Sequence, residues 1–160
     1  MRIASLIFLG FTAATLIAHA DDGSPIPFPD GYRNWHHHHS TVNLKGHAPE
    51  GNTGLQHVYA DPRAVEGLKS GRFADGATFV VDRFTYEEAP NSSLVQGKRK
   101  VVAVMVRDAA RFAQTGGWGF QAFKGGDPSM RAVSDGGTAC FSCHAPLGEN
   151  NFLFTRNTHP

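Results

Sequence analysis

Cysteine is scarce in this sequence: two stand among 160 residues, which excludes a scaffold stapled by several disulfides. An excess of either charge is missing too. Fifteen Lys and Arg against 14 Asp and Glu leave +1, so nothing marks a surface built to grip nucleic acid or another polyanion. Charged residues make up only 18% and hydrophobic ones 41%, a balance that excludes a disordered chain. Glycine, by contrast, is plentiful at 18, with nine prolines and twelve phenylalanines, which implies many turns around an aromatic interior. The length suits one domain of ordinary size.

Long apolar runs are confined to the start. Met1-Arg2 is a short positive beginning, Ile3 to Ile17 is apolar apart from small or hydroxyl residues, and Ala18-His19-Ala20 is a small-x-small cleavage pattern. That is the layout of a secretory signal peptide cleaved after Ala20, with an apolar core too short to span a bilayer comfortably. No later segment approaches the ~18 apolar residues of a span, so no membrane span is expected once residues 1–20 are gone. Their removal takes away Arg2 and no acid, which leaves 14 basic against 14 acidic residues. The expected location is the periplasm.

Residues 21–31 hold three prolines and two glycines and read as an extended N-terminal arm. Residues 32–160 read as a single domain without internal repeats. Tyr32 to Thr41 is expected to form a helical turn or two carrying Trp35 and the run His36 to His39. Residues 42–54 read as loop and Leu55 to Ala60 as a strand. Asp61-Pro62 marks a helix start: the acid caps free N–H groups, and proline at the first position loses no hydrogen bond. The helix Arg63 to Ser70 is expected to stop at Gly71.

Thr78 to Phe84 is β-branched and aromatic, hence a strand. Glu87 to Gly97 reads as a polar loop. Val101 to Val106 is apolar at every position. A strand alternates its side chains, so this one must be covered on both faces. Asp108 to Thr115 is expected as a short helix, Trp118 to Phe123 as a strand and residues 124–138 as loop. Four strands with short helices between them predict an α+β domain on a mainly antiparallel sheet.

Both cysteines fall in Cys140-Phe141-Ser142-Cys143-His144, the C-x-x-C-H attachment sequence for c-type haem. On a helical turn residues three apart lie on one side, so both thiols can reach the two haem vinyl groups and form thioethers. His144 then brings its imidazole to the iron as proximal ligand. A redox C-x-x-C belongs early in a thioredoxin-like βαβ pattern, which this chain lacks, and a zinc site needs more ligands. One covalently bound haem c is expected, near the C-terminus.

Only 16 residues follow His144 and none is methionine. Met105 and Met130 both precede the motif, the first expected in the core and the second in a surface loop. The far side of the iron is then open, which favours ligand binding or chemistry over plain electron transfer. An electron carrier would instead need Met105 or Met130 on the iron.

Around the motif stand Tyr32-Arg33-x-Trp35, then His57-Val58-Tyr59-Ala60-Asp61-Pro62, then Lys69 to Gly76 (Lys-Ser-Gly-Arg-Phe-Ala-Asp-Gly). Val106-Arg107-Asp108, Phe112-Ala113, Gly116-Gly117-Trp118-Gly119-Phe120 and Phe154-Thr155-Arg156 follow. In this order, over nearly all of the mature chain, they resemble the cytochrome P-460 / cytochrome c′-beta family. The resemblance implies a mainly antiparallel β domain with flanking helices, usually a homodimer. It also implies a small nitrogen-containing ligand or substrate and a redox partner cytochrome. P-460 members oxidise hydroxylamine and carry a lysine bonded to the haem macrocycle. The c′-beta members lack that bond and bind gases such as nitric oxide in a Phe-capped pocket.

Lys69 stands where the resemblance places the cross-linking lysine, although a lysine in a last helical turn also suits the helix dipole. Phe73, Phe79 and Phe84 flank the segment expected over the haem, and Phe79 is the candidate distal residue. Hydroxylamine oxidation releases protons and needs a base near the ligand. Val101 to Val106 offers no acid, and Asp82, Glu87 and Glu88 are expected to face solvent at or beyond a strand end. The histidine run cannot converge on one ion from a regular element, though His36 and His39 can share a helical face. No acid or cysteine accompanies it, as a zinc, nickel or copper site would require. Solvent-facing side chains are expected, with one or two near the haem edge, and His57 is expected to be a satisfied structural histidine.

Overall fold

The computed structural model describes residues 25–47 and 49–155. The expected signal sequence lies outside the described residues. Five strands pair antiparallel in chain order: β1 (His36–Asn43), β2 (Gly54–Ala60), β3 (Thr78–Ala89), β4 (Ser93–Arg107) and β5 (Trp118–Lys124). Helix α1 (Pro62–Ser70) joins β2 to β3, and α2 (Thr138–His144) follows β5. The fold is the expected α+β. Among the described residues no helix is long and apolar enough to cross a membrane.

Helix α1 starts and stops where its sequence dictates. The Asp61 carboxylate accepts the Ala64 N–H at 2.7 Å, and the same oxygen accepts the Thr78 N–H at 3.1 Å, tying the helix start to β3. Gly71 ends the helix at φ 72°, its N–H returning to the Gly67 carbonyl. Ala64 and Leu68 are buried against the sheet.

Register divides the sheet into two faces. Ala60, Phe79, Met105 and Phe120 form one cross-strand row, and Val58, Val81, Ala103 and Ala122 form the next. These share the face covered by α1 and by the C-terminal segment, where Leu153, Cys140, Phe141 and Phe152 pack. The opposite face presents Val80, Val102, Val104 and Phe123 to Ile26, Phe28, Tyr32 and Trp35 of the N-terminal region. The all-apolar stretch of β4 is therefore covered on both sides, as its composition demands. Val80, Val102 and Phe123 are wholly enclosed, and each such side chain contributes about 1.5–3 kcal/mol of burial.

Three elements differ from the sequence reading. Only Tyr32–Asn34 makes a turn of 3-10 helix, and His36–Asn43 is a strand. A helix of this length is not stable by itself, whereas pairing with β2 satisfies the backbone and suits β-branched Thr41 and Val42. The expected loop at 87–97 is mostly the end of a long hairpin, with Glu87 opposite Val95 and Ala89 opposite Ser93. Asn91 and Ser92, at φ 67° and 59°, supply the doubly left-handed turn that matches strand twist. Both faces of this hairpin end are largely exposed, so it carries no apolar alternation to announce it. Of the helix expected at 108–115, only the 3-10 turn Ala113–Thr115 forms.

Candidate functional site

Helix α2 is seven residues long, and its start is fastened from outside. Asp135 accepts the N–H groups of Gly137 and Ala139 at 3.0 and 2.8 Å, and these bonds hold its carboxyl below the usual range. Gly137 allows a close approach to β5: it sits at φ 86°, and a Cβ there would lie 3.0 Å from the Phe120 Cβ. Cys140 is half-buried against the core, Cys143 is exposed, and both thiols are free. Burial pushes the Cys140 thiol up.

His144 closes the helix with its ring 5.0 Å from Phe120 and edge-on to Phe154 at 4.7 Å. Its Nδ1 lies 2.7 Å from the Phe152 carbonyl oxygen. A carbonyl only accepts, so Nδ1 carries the proton and Nε2 keeps its lone pair. Burial holds the imidazole below its ordinary pKa, which favours that neutral form.

The carbonyl reaches His144 at a cost. Phe152 adopts φ 64°, the left-handed region that bulky residues avoid, and the strain is about 1–2 kcal/mol. Packing sustains it. The Phe152 ring lies over Gly116, where a Cβ would meet it at 2.5 Å, and stands 5.4 Å from Phe141.

Beside α2 the sheet is left partly open. Val81, Ala103 and Ala122 form a half-exposed cross-strand row, next to the buried row of Phe79, Met105 and Phe120. Short side chains beside large ones leave an apolar trough about two strand spacings wide, ~10 Å. The donor set fits a c-type haem: two free thiols three residues apart on a helix, a neutral imidazole with a free Nε2, and an apolar floor beside them.

The other candidate residues fall into separate places. Phe79 is 5% exposed on the trough face, with Phe73 5.7 Å and Trp118 6.2 Å from it. Phe84 packs on the opposite side, against His57 and the Arg99 guanidinium. Lys69 lies on an exposed flank of α1, its Nζ 2.8 Å from Glu66. Met105 is a core residue and Met130 is half-exposed in its loop, as expected. His57 bonds Ser40 at 2.7 Å and Gln96 at 3.0 Å, a satisfied structural histidine.

Asp82 is a correction. It lies within β3 and is 1% exposed, not turned to solvent. It faces the N-terminal arm, where its Oδ2 accepts from the Tyr32 hydroxyl at 2.5 Å and from Arg33 Nη2 at 2.9 Å. Arg99 Nε is 2.9 Å from Oδ1, close enough to pair charges without hydrogen-bond alignment. Asp82 is thus separated from α2 by the sheet.

The Cytochrome P460 family model matches residues 29–155, which takes in the whole sheet, both helices and the C-x-x-C-H motif. The chain belongs to the cytochrome P460 family. As a member it is a c-type haem protein carrying one covalently bound haem c. A comparison with curated proteins returned no match. Sequence reasoning missed two parts of this P460 site. One is the Phe152 carbonyl, since a backbone acceptor has no residue signature. The other is the trough, although a signal was there: Ala103 and Ala122 are the small residues in two otherwise bulky strands.

Proposed function

We propose that this P460 cytochrome works in the periplasm, after cleavage behind Ala20, and acts on small nitrogen compounds at an iron left open opposite His144. Its reaction in this reading is hydroxylamine or nitric oxide redox chemistry. The observation that carries the reading is the trough itself. Val81, Ala103 and Ala122 line it, and none of the three can ligate iron. Met105, the sixth ligand an electron carrier would require, is packed in the core between Phe79 and Phe120.

The haem would supply electron transfer and a position for the ligand. The chain supplies the rest. Cys140 and Cys143 hold the group through thioethers, and His144 offers Nε2. The Phe152 carbonyl keeps the imidazole oriented and basic. The apolar row excludes water, which strengthens any polar contact the ligand makes. A homodimer and a redox partner cytochrome belong to the same reading.

A second reading, nitric oxide binding without turnover, draws support from Asp82, because this buried carboxylate faces away from the trough. The Lys69 cross-link has its own support: Asn151 Nδ2 donates to the Gly71 carbonyl at 3.2 Å, which brings the end of α1 against the C-terminal segment. The ferrous absorption spectrum of the haem-loaded protein, with a peptide mass for the Lys69 segment, separates these readings. A strongly red-shifted Soret band with a cross-linked peptide supports hydroxylamine oxidation. An ordinary five-coordinate spectrum without hydroxylamine turnover supports gas binding. A six-coordinate, low-spin spectrum that resists added ligands overturns both.

A further inference from the structure

Strand β1 is an edge of the sheet, and its pairing slips once. His37 stands opposite Tyr59 and His39 opposite Val58, so His38 is the extra residue of a β-bulge. Directly opposed residues on paired strands share a face. His36, opposite Ala60, and His39, opposite Val58, therefore stand on the face of the trough and α2. The His37 ring is spent elsewhere, with Tyr59 at 5.7 Å and with Ser40 through a 2.9 Å hydrogen bond. The His38 ring follows His39, edge-on at 5.1 Å, and lies 6.4 Å from His36.

Among the described residues, His38 Nε2 and His39 Nδ1 are shut off from solvent and have no hydrogen-bond partner. A buried polar atom left in this state costs about 1–3 kcal/mol, and an edge strand offers easy exposure instead. Two such atoms on adjacent residues point to a partner that the chain does not contain. Burial holds both imidazoles below the ordinary histidine range, so at neutral pH each ring is uncharged and can accept a proton. Among the described residues no group of three or more His, Cys, Asp or Glu is placed to hold a metal ion, so the pair is not part of such a site.

We propose that His38 and His39 are the proton-accepting residues of the haem site, taking the proton from a ligand that binds opposite His144. The inference rests on the open-site reading above. His144 stands at the β5 end of this face beside Phe120, and the histidine pair stands at the β1 end. Val58, Val81, Ala103 and Ala122 connect the two ends in one row. In the step itself the bond from hydrogen to the ligand atom breaks, the proton passes to an imidazole nitrogen, and the ligand atom keeps the electron pair. No oxidant is consumed.

Two probes of the ferric, haem-loaded protein test this. Cyanide near neutral pH arrives as hydrogen cyanide and must lose a proton to bind, whereas azide arrives as an anion. Stopped-flow absorbance gives both association rates for the wild type, His38→Leu, His39→Leu and the double variant. We expect cyanide association to slow by about tenfold or more in the double variant, with azide unchanged within about twofold and His37→Leu neutral for both. Should the Leu variants load haem poorly, His38→Gln and His39→Gln keep a polar side chain of similar size without a basic nitrogen and give the same comparison. An unchanged cyanide rate, or equal slowing of both probes, overturns the proposal and leaves the open site standing. A wild type that binds neither probe overturns the open-site reading, and this proposal with it.

Discussion

The two faces of the sheet use the same strands and finish them differently. On the arm face the charge that is buried is also answered: Asp82 meets Tyr32, Arg33 and Arg99, and Phe28, Tyr32 and Trp35 roof the valines beneath. On the α2 face Val81, Ala103 and Ala122 stay half-open, Phe152 holds a strained backbone, and two histidine nitrogens have no partner. A face that exists to be core resolves its polar groups within the chain. A face that exists to hold something else leaves them waiting, at a cost the packed face helps to cover.

The most severe way to break the comparison is to remove what the open face holds. Cys140→Ala with Cys143→Ala abolishes covalent haem, read as loss of the haem mass from the intact protein. Secondary structure by circular dichroism stays in place, because Cys143 is exposed and Cys140 only half-buried. Next comes the closed face. Asp82→Ala leaves Tyr32 and two guanidinium groups without their acceptor and costs about 3 kcal/mol in urea unfolding. Azide binding to the haem-loaded variant stays unchanged, since the sheet separates Asp82 from α2.

Adding the same ring to each face sharpens the contrast further. Val80→Phe overfills a site with no exposure and costs about 1–3 kcal/mol. Ala103→Phe projects into the trough and shifts the stability of the haem-free chain by about 0.5 kcal/mol or less. It instead lowers haem uptake, measured as haem absorbance per chain. Equal destabilisation by both substitutions would show that the trough is ordinary core.

Much of this was legible in advance, and the failures share a cause. Asp61-Pro62 and Gly71 announce α1 through local hydrogen bonding, and C-x-x-C-H announces its chemistry through spacing alone. The two-sided cover of β4 follows from Val101 to Val106 being apolar throughout. Strand β1 was hidden because its side chains are histidines, whose faces are assigned only by pairing with β2 and by the bulge at His38. Asp82 was misplaced for a related reason. Its partners Tyr32 and Arg33 lie about fifty positions away in sequence, and an acid is read as exposed until the donors that bury it are known. Long-range pairing decided what local pattern could not.

The smallest expected effect concerns pH. Burial, and then the hydrogen bond and charge of Asp82, push the Tyr32 hydroxyl up to about 12, against about 10 in an unfolded chain. A group whose folded pKa is raised stabilises the fold fully below its unfolded value. As pH rises from about 10 to 12 the unfolded chain gives up this proton while the folded chain keeps it, so stability falls across that window. Tyr32→Phe removes the hydroxyl, and with it this share of the decline. Urea unfolding at intervals between pH 9 and 12 therefore gives a flatter curve for the variant than for the wild type, with the variant the less stable of the two at pH 7. Lysines titrate in the same range in both proteins, so only the difference between the curves carries the result. Parallel curves would mean that the Tyr32 proton is not held by Asp82, and that the arm face is closed by packing more than by its buried charge.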